Sequence, residues 1–129
     1  MRTQLEQRGL DFGIAVIKMV RNSDDGLTKR AREQLVSSAT SIGANVAEAR
    51  SAQSRDDFIS KLEIALKEAR ETDYWLNVLR GLADYPTEAL STIINECDQI
   101  TAMLAASVLT AKGIRRAKQP KGLSVDRRS

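Results

Sequence analysis

Apolar residues recur every three or four positions in four successive blocks, and nothing alternates with the period of two that a strand needs. In the second block Leu35, Ala39, Ile42, Val46 and Ala49 are spaced 4, 3, 4, 3. The third repeats this with Phe58, Leu62, Ala65, Ala69, Thr72, Leu76 and Leu79, and the fourth with Leu90, Ile93, Cys97, Ile100 and Leu104. That is the spacing of helices that pack along a seam. The first block is broader: Leu10, Ile14, Ile17 and Arg21 share one face, and Phe12, Val16, Met19 and Val20 widen it. The pattern predicts helices over about 7–22, 28–52, 55–82 and 87–112.

Local signals mark the ends. Asn22-Ser23-Asp24-Asp25-Gly26 is a turn cluster, Thr28 and Ser54 are N-cap residues, Asp84-Tyr85-Pro86 breaks the third helix, and Gly113 is a natural C-cap. Gly43 costs about 1 kcal/mol in mid-helix against Ala, and a close backbone approach is the simplest reason to tolerate it. Four helices with short loops predict an all-α, up-down-up-down four-helix bundle over 1–112, followed by a basic, flexible C-terminal tail over 113–129. Ile59, Leu66, Ile94 and Val108 add apolar edges that one core does not need, so they predict a contact between protomers.

Composition narrows the chemistry. There is no histidine, which removes the usual general base and the commonest metal ligand. The single cysteine, Cys97, has no partner for a disulfide or a Cys-His dyad, and its use suits a reducing cytoplasm. Carboxylates are numerous, and Glu48, Glu63, Glu68 and Glu71 could face one another, but they lack the Glu-x-x-His pairs of a di-iron bundle. No phosphate-cradling loop, signal peptide or membrane span is evident. The chain reads as a cytoplasmic non-enzyme without metal or cofactor.

Charge is unevenly placed. Residues 112–129 carry seven basic side chains and one acidic, a net of +6, so the formal total of +3 leaves −3 for residues 1–111. Lys112, Arg115, Arg116, Lys118 and Lys121 lead that tail. Lys29, Arg30 and Arg32 cluster at the start of the second helix, and Arg50 and Arg55 bracket the loop after it. Together these are the candidate contacts for a phosphate backbone. Ser38, Ser41, Asn45 and Glu48 make a polar stripe on the second helix, and Asp56, Glu63, Lys67, Arg70 and Tyr74 one on the third. Each stripe reads either as hydrogen bonds that fix helix register or as a ligand groove. Tyr74-Trp75 reads either as a helix or subunit contact or as a stacking platform for a base.

The segment SIGANVAEA, followed by DDFISKLEIALKEARETDYWL, resembles the 23S rRNA intervening-sequence family of four-helix-bundle proteins. Ser41, Ile42, Ala44, Asn45, Ala47 and Glu48 match its first motif, and Phe58, Ile64, Ala65, Leu66, Tyr74, Trp75 and Leu76 its second. Gly43 stands where the family has Pro, and Ala49 where it has Gly. The resemblance implies a ring-like homopentamer and brings no catalytic residues. A related accessory protein of diversity-generating retroelements binds nucleic acid and a reverse transcriptase. By analogy, RNA or DNA, or else a protein partner, is the ligand expected here.

Overall fold

The structure, a computed structural model, describes residues 1–21, 27–82 and 87–113, without the Thr87 side chain. Four helices account for most of them: α1 (Gln4–Arg21), α2 (Lys29–Arg50), α3 (Arg55–Gly81) and α4 (Thr87–Ala111). Among the described residues there is no strand.

The ends form where side chains satisfy the free backbone groups of a helix terminus. The Thr28 hydroxyl accepts from Ala31 N and the Ser54 hydroxyl from Asp57 N, as the sequence predicts. α1 begins earlier than its apolar pattern, because Thr3 and Glu6 make a reciprocal capping box. Glu6 N donates to Thr3 Oγ1 (3.1 Å), and Thr3 N donates to Glu6 Oε1 (3.3 Å). Gly113 follows α4 with φ of 80°, the left-handed conformation that suits glycine after a helix.

α1 packs on α2, α2 on α3, α3 on α4, and α4 closes back on α1. Neighbours run antiparallel. Gly9 faces Gly43 while Gly13 faces Thr40, and Cys97 of α4 reaches Ala69 O while Arg55 of α3 reaches Ala111 O. The architecture is therefore an up-down-up-down four-helix bundle, with α2 and α4 on one diagonal. Leu35, Ile42, Leu76, Leu79, Ile100 and Leu104 are fully buried at its centre. One buried polar contact joins α2 to α3: Thr72 Oγ1 lies 2.9 Å from Ser38 Oγ.

The face of α1 that enters the core differs from the expected one. Phe12, Val16 and Val20 are buried, whereas Leu10 and Ile14 remain 40% and 43% exposed. The glycines explain the rotation. A Cβ on Gly9 would stand 2.9 Å from Gly43 Cα, so the two backbones nearly touch there, and Leu10 and Ile14 are turned outward beside α2. The close approach expected at Gly43 is thus present, with Gly9 as its partner. Phe58, placed on the α3 seam by spacing, is 37% exposed because it sits in the first turn at the end of the bundle. Leu66, Ile94 and Val108 are buried within the protomer, so they are ordinary core and supply no surplus edge.

Candidate nucleic-acid interface

The antiparallel topology decides which cations can act together. Lys29, Arg30 and Arg32 open α2, while Arg50 closes it. Twenty-two helical residues span about 33 Å. That is several Debye lengths at physiological salt, so the two groups make separate fields. Within one protomer these cations stand at opposite ends of the bundle.

At the Lys29 end, Arg32 Nη1 donates to Val20 O (2.6 Å) and so ties α2 to the last turn of α1. Lys29 and Arg30 are exposed. Lys18 and Arg21, in the last turn of α1, stand at the same end.

At the other end, Arg50, Arg55 and Lys112 converge from three helices. Arg50 Nε pairs with the buried Glu6 carboxylate at 3.2 Å and also donates to Met1 O. Arg55 donates to Ala111 O, a free carbonyl at the C-terminus of α4, where a cation also meets the negative end of the helix dipole. Lys112 pairs with Glu63 at 2.7 Å. These three side chains hold the helix ends together, and two of them are already neutralised by acids. The bundle itself therefore presents little uncompensated positive charge here. α4 does end here, with Lys112 and Gly113 as the last described residues. Arg115, Arg116, Lys118 and Lys121 lie outside the described residues.

The α2 stripe bonds mostly to its own helix backbone, and only Ser38 and Glu48 reach across to α3. The Ser38 hydroxyl donates to Leu35 O (3.2 Å), Ser41 to Ser37 O (2.7 Å), and the Asn45 amide to Ser41 O (2.8 Å). Glu48 pairs with Lys61 of α3 at 3.3 Å. Tyr74 is 61% exposed, with its ring edge-on to Trp75 at 5.2 Å. Trp75 is half-buried against the core, and its indole N–H reaches toward Glu71 Oε2 at 3.4 Å. Both aromatics thus stay near the rim of α3, and only Tyr74 offers a free face.

The four grouped carboxylates do not converge. Glu48 and Glu63 are taken by lysines on different sides of α3. Burial and the adjacent Glu71 hold the Glu68 carboxyl above its usual range. Among the described residues no group of three or more His, Cys, Asp or Glu side chains is placed to hold a metal ion. Cys97 is buried, and desolvation, helped by Asp73, pushes its thiol up to about 12. No described helix is long and apolar enough to cross a membrane.

Two contacts escaped the sequence reading. Arg8 grips Glu96 of α4 through Nε (2.9 Å) and Nη2 (2.6 Å), which pins the α1–α4 seam. Glu6 pairs with Arg50 across the bundle end. Thr3-x-x-Glu6 was the available signal for Glu6. Nothing local marks Arg8 or Glu96.

A family model described as 23S rRNA-intervening sequence protein matches residues 2–106. A crystal structure of a protein of unknown function from the S23 ribosomal protein family of Bacteroides thetaiotaomicron VPI-5482 superposes with a TM-score of 0.73 at 37% sequence identity, covering 81% of this chain and 97% of that one. No curated protein matches.

Proposed function

The chain belongs to the 23S rRNA-intervening sequence protein family, and from that premise we propose a non-enzymatic, self-associating four-helix bundle that binds RNA or DNA through its basic C-terminal end. The observation that carries this reading is the placement of charge. Residues 1–111 sum to −3 and residues 112–129 to +6. The first residue of that positive segment, Lys112, follows α4 at the end where Arg50 and Arg55 stand. A compact, net-negative body with a cationic extension suits a polyphosphate ligand held by counterion release. The inert thiol of Cys97 and the lysine-paired carboxylates support a binding role over a catalytic one.

The test is a titration of a structured RNA at several salt concentrations. Binding should weaken steeply with salt, by about 0.7–0.9 in log–log slope for each phosphate contacted. Replacing Arg115, Arg116, Lys118 and Lys121 with Gln should flatten the slope by roughly three units. The same change at Lys29, Arg30 and Arg32, at the far end, should cost much less. Absence of binding at low salt, or a slope indifferent to the tail, refutes the reading.

The exposed Tyr74 favours a second reading, a protein-interaction scaffold such as an accessory subunit of a reverse transcriptase. A partner retained after nuclease treatment, and lost with Tyr74→Ala, would select it.

A further inference from the structure

The core does not close at the end of the bundle where α1 begins and α2 finishes. Ala49 of α2 and Ser107 of α4 are short side chains there, with Leu5, Val46, Phe58 and Leu62 around them. A cavity of about 310 Å³ remains. Phe58 is the largest of these side chains, yet it stays 37% exposed instead of filling the space. A well-packed core leaves few voids larger than one water. This cavity has about twice the volume, roughly 150 Å³, at which an apolar cavity already holds benzene.

Its polar groups are few and converge. Glu6 lines the cavity with a carboxylate that is only 4% exposed. Oε1 of that carboxylate takes Arg50 Nε and Thr3 N. Oε2 takes no bond from any described residue. Most buried polar atoms have a partner, so an open carboxylate oxygen on a cavity wall marks a place for a donor. Ser107 is open as well. Ser41, Thr72, Thr92 and Thr101 each donate to the carbonyl four residues earlier, and Ser107 makes no such bond among the described residues.

Charge decides what can enter. Arg50 balances Glu6, so a charged ligand would be stripped of water and find no counterion to repay it. The open carboxylate oxygen accepts and cannot donate. The walls are apolar, and the Phe58 ring and the Arg50 guanidinium, which both line the cavity, each favour an aromatic neighbour.

We propose that this cavity binds a small neutral aromatic molecule with one ring N–H or O–H donor, of the indole or phenol class. The ring lies against Leu5, Val46 and Leu62, and its donor reaches Glu6 Oε2. An apolar hollow with a few placed polar groups is the usual form of a small-molecule site. The site goes beyond the nucleic-acid reading and does not depend on it, so loss of RNA binding leaves it untouched.

Fluorine NMR of a fluoroindole titrated with the full chain tests this, since the probe's signal is separate from Trp75. The line should shift or broaden saturably, phenol should displace the probe, and benzoate should not. Ser107→Leu fills the cavity from a half-buried position and should remove saturable binding with the helical circular dichroism intact. The N-methylated fluoroindole, which lacks the donor, should bind several-fold more weakly to the wild type. That comparison needs no variant, so it decides the matter even where Ser107→Leu unfolds. A wild type without saturable binding overturns the proposal. A folded Ser107→Leu that binds as the wild type does puts the probe elsewhere and overturns it too. Equal binding of the N-methylated probe overturns the role of Glu6 Oε2, and displacement by benzoate overturns the choice of a neutral ligand.

Discussion

Gly9→Ala tests the backbone contact on which the α1–α2 packing turns. The added Cβ would lie 2.9 Å from Gly43 Cα and 3.4 Å from Gly43 N. Both atoms belong to a rigid helix, so no side chain can swing aside. Ordinary contact lies about 3.5–4 Å away, so the helices must part by roughly half an ångström or more. A gap of that size forfeits about a quarter to a half of each dispersion contact along the α1–α2 seam. Overpacking of this kind costs typically about 1–3 kcal/mol, against a gain of about 1 kcal/mol from replacing glycine in a helix. The balance is a loss of at most about 2 kcal/mol, centred on about 1 kcal/mol. For 129 residues the unfolding entropy is near 270 cal/mol/K, so the midpoint should fall by about 4 °C, and by no more than about 7 °C. Gly81→Ala is the control. Nothing lies within 4 Å of its added Cβ, so a propensity gain, smaller because Gly81 ends α3, should stand unopposed and raise the midpoint. Urea and thermal melts at one fixed protein concentration measure both. A Gly9→Ala protein more stable than the wild type, as the control should be, would refute the close-contact argument.

Thr72→Val should cost about 1 kcal/mol in urea melts, because Thr72 Oγ1 bridges Ser38 Oγ and Glu68 O at 2.9 and 2.8 Å in a buried site. Combining it with Ser38→Ala should cost less than the sum of the two single changes, since one buried hydroxyl no longer lacks its partner. Cys97 should resist thiol reagents at pH 8 until the chain unfolds. Burial raises its thiol from the ordinary range of a free cysteine, near 9, up to about 12, so the native state keeps a proton that the unfolded chain releases. Its contribution to stability is fully present below pH 9 and is lost as pH rises toward 12, at up to about 1.4 kcal/mol per pH unit. Cys97→Val should lack that component, and a pH profile identical to the wild type's would contradict it.

Helix number, position and most ends were legible because they rest on local rules. A spacing of three and four residues encodes a packed stripe wherever the helix finally lies, and Thr28, Ser54 and Gly113 act on their own backbone neighbours. Even the close approach at Gly43 could be read, since a mid-helix glycine needs a reason. Its partner Gly9 could not, because nothing along the chain records which backbone arrives opposite. The rotation of α1 was decided the same way. Its stripe is wide enough to bury either Leu10 and Ile14 or Phe12 and Val16, and the Gly9–Gly43 contact selects the second pair. The candidate interface was legible as a list of cations and illegible as a surface. Antiparallel packing sends Lys29 and Arg50 to opposite ends, and it neutralises Arg50 with Glu6 and Lys112 with Glu63. Short-range periodicity thus set the elements and their caps, while contacts between residues distant in sequence set which faces meet and which charges remain free.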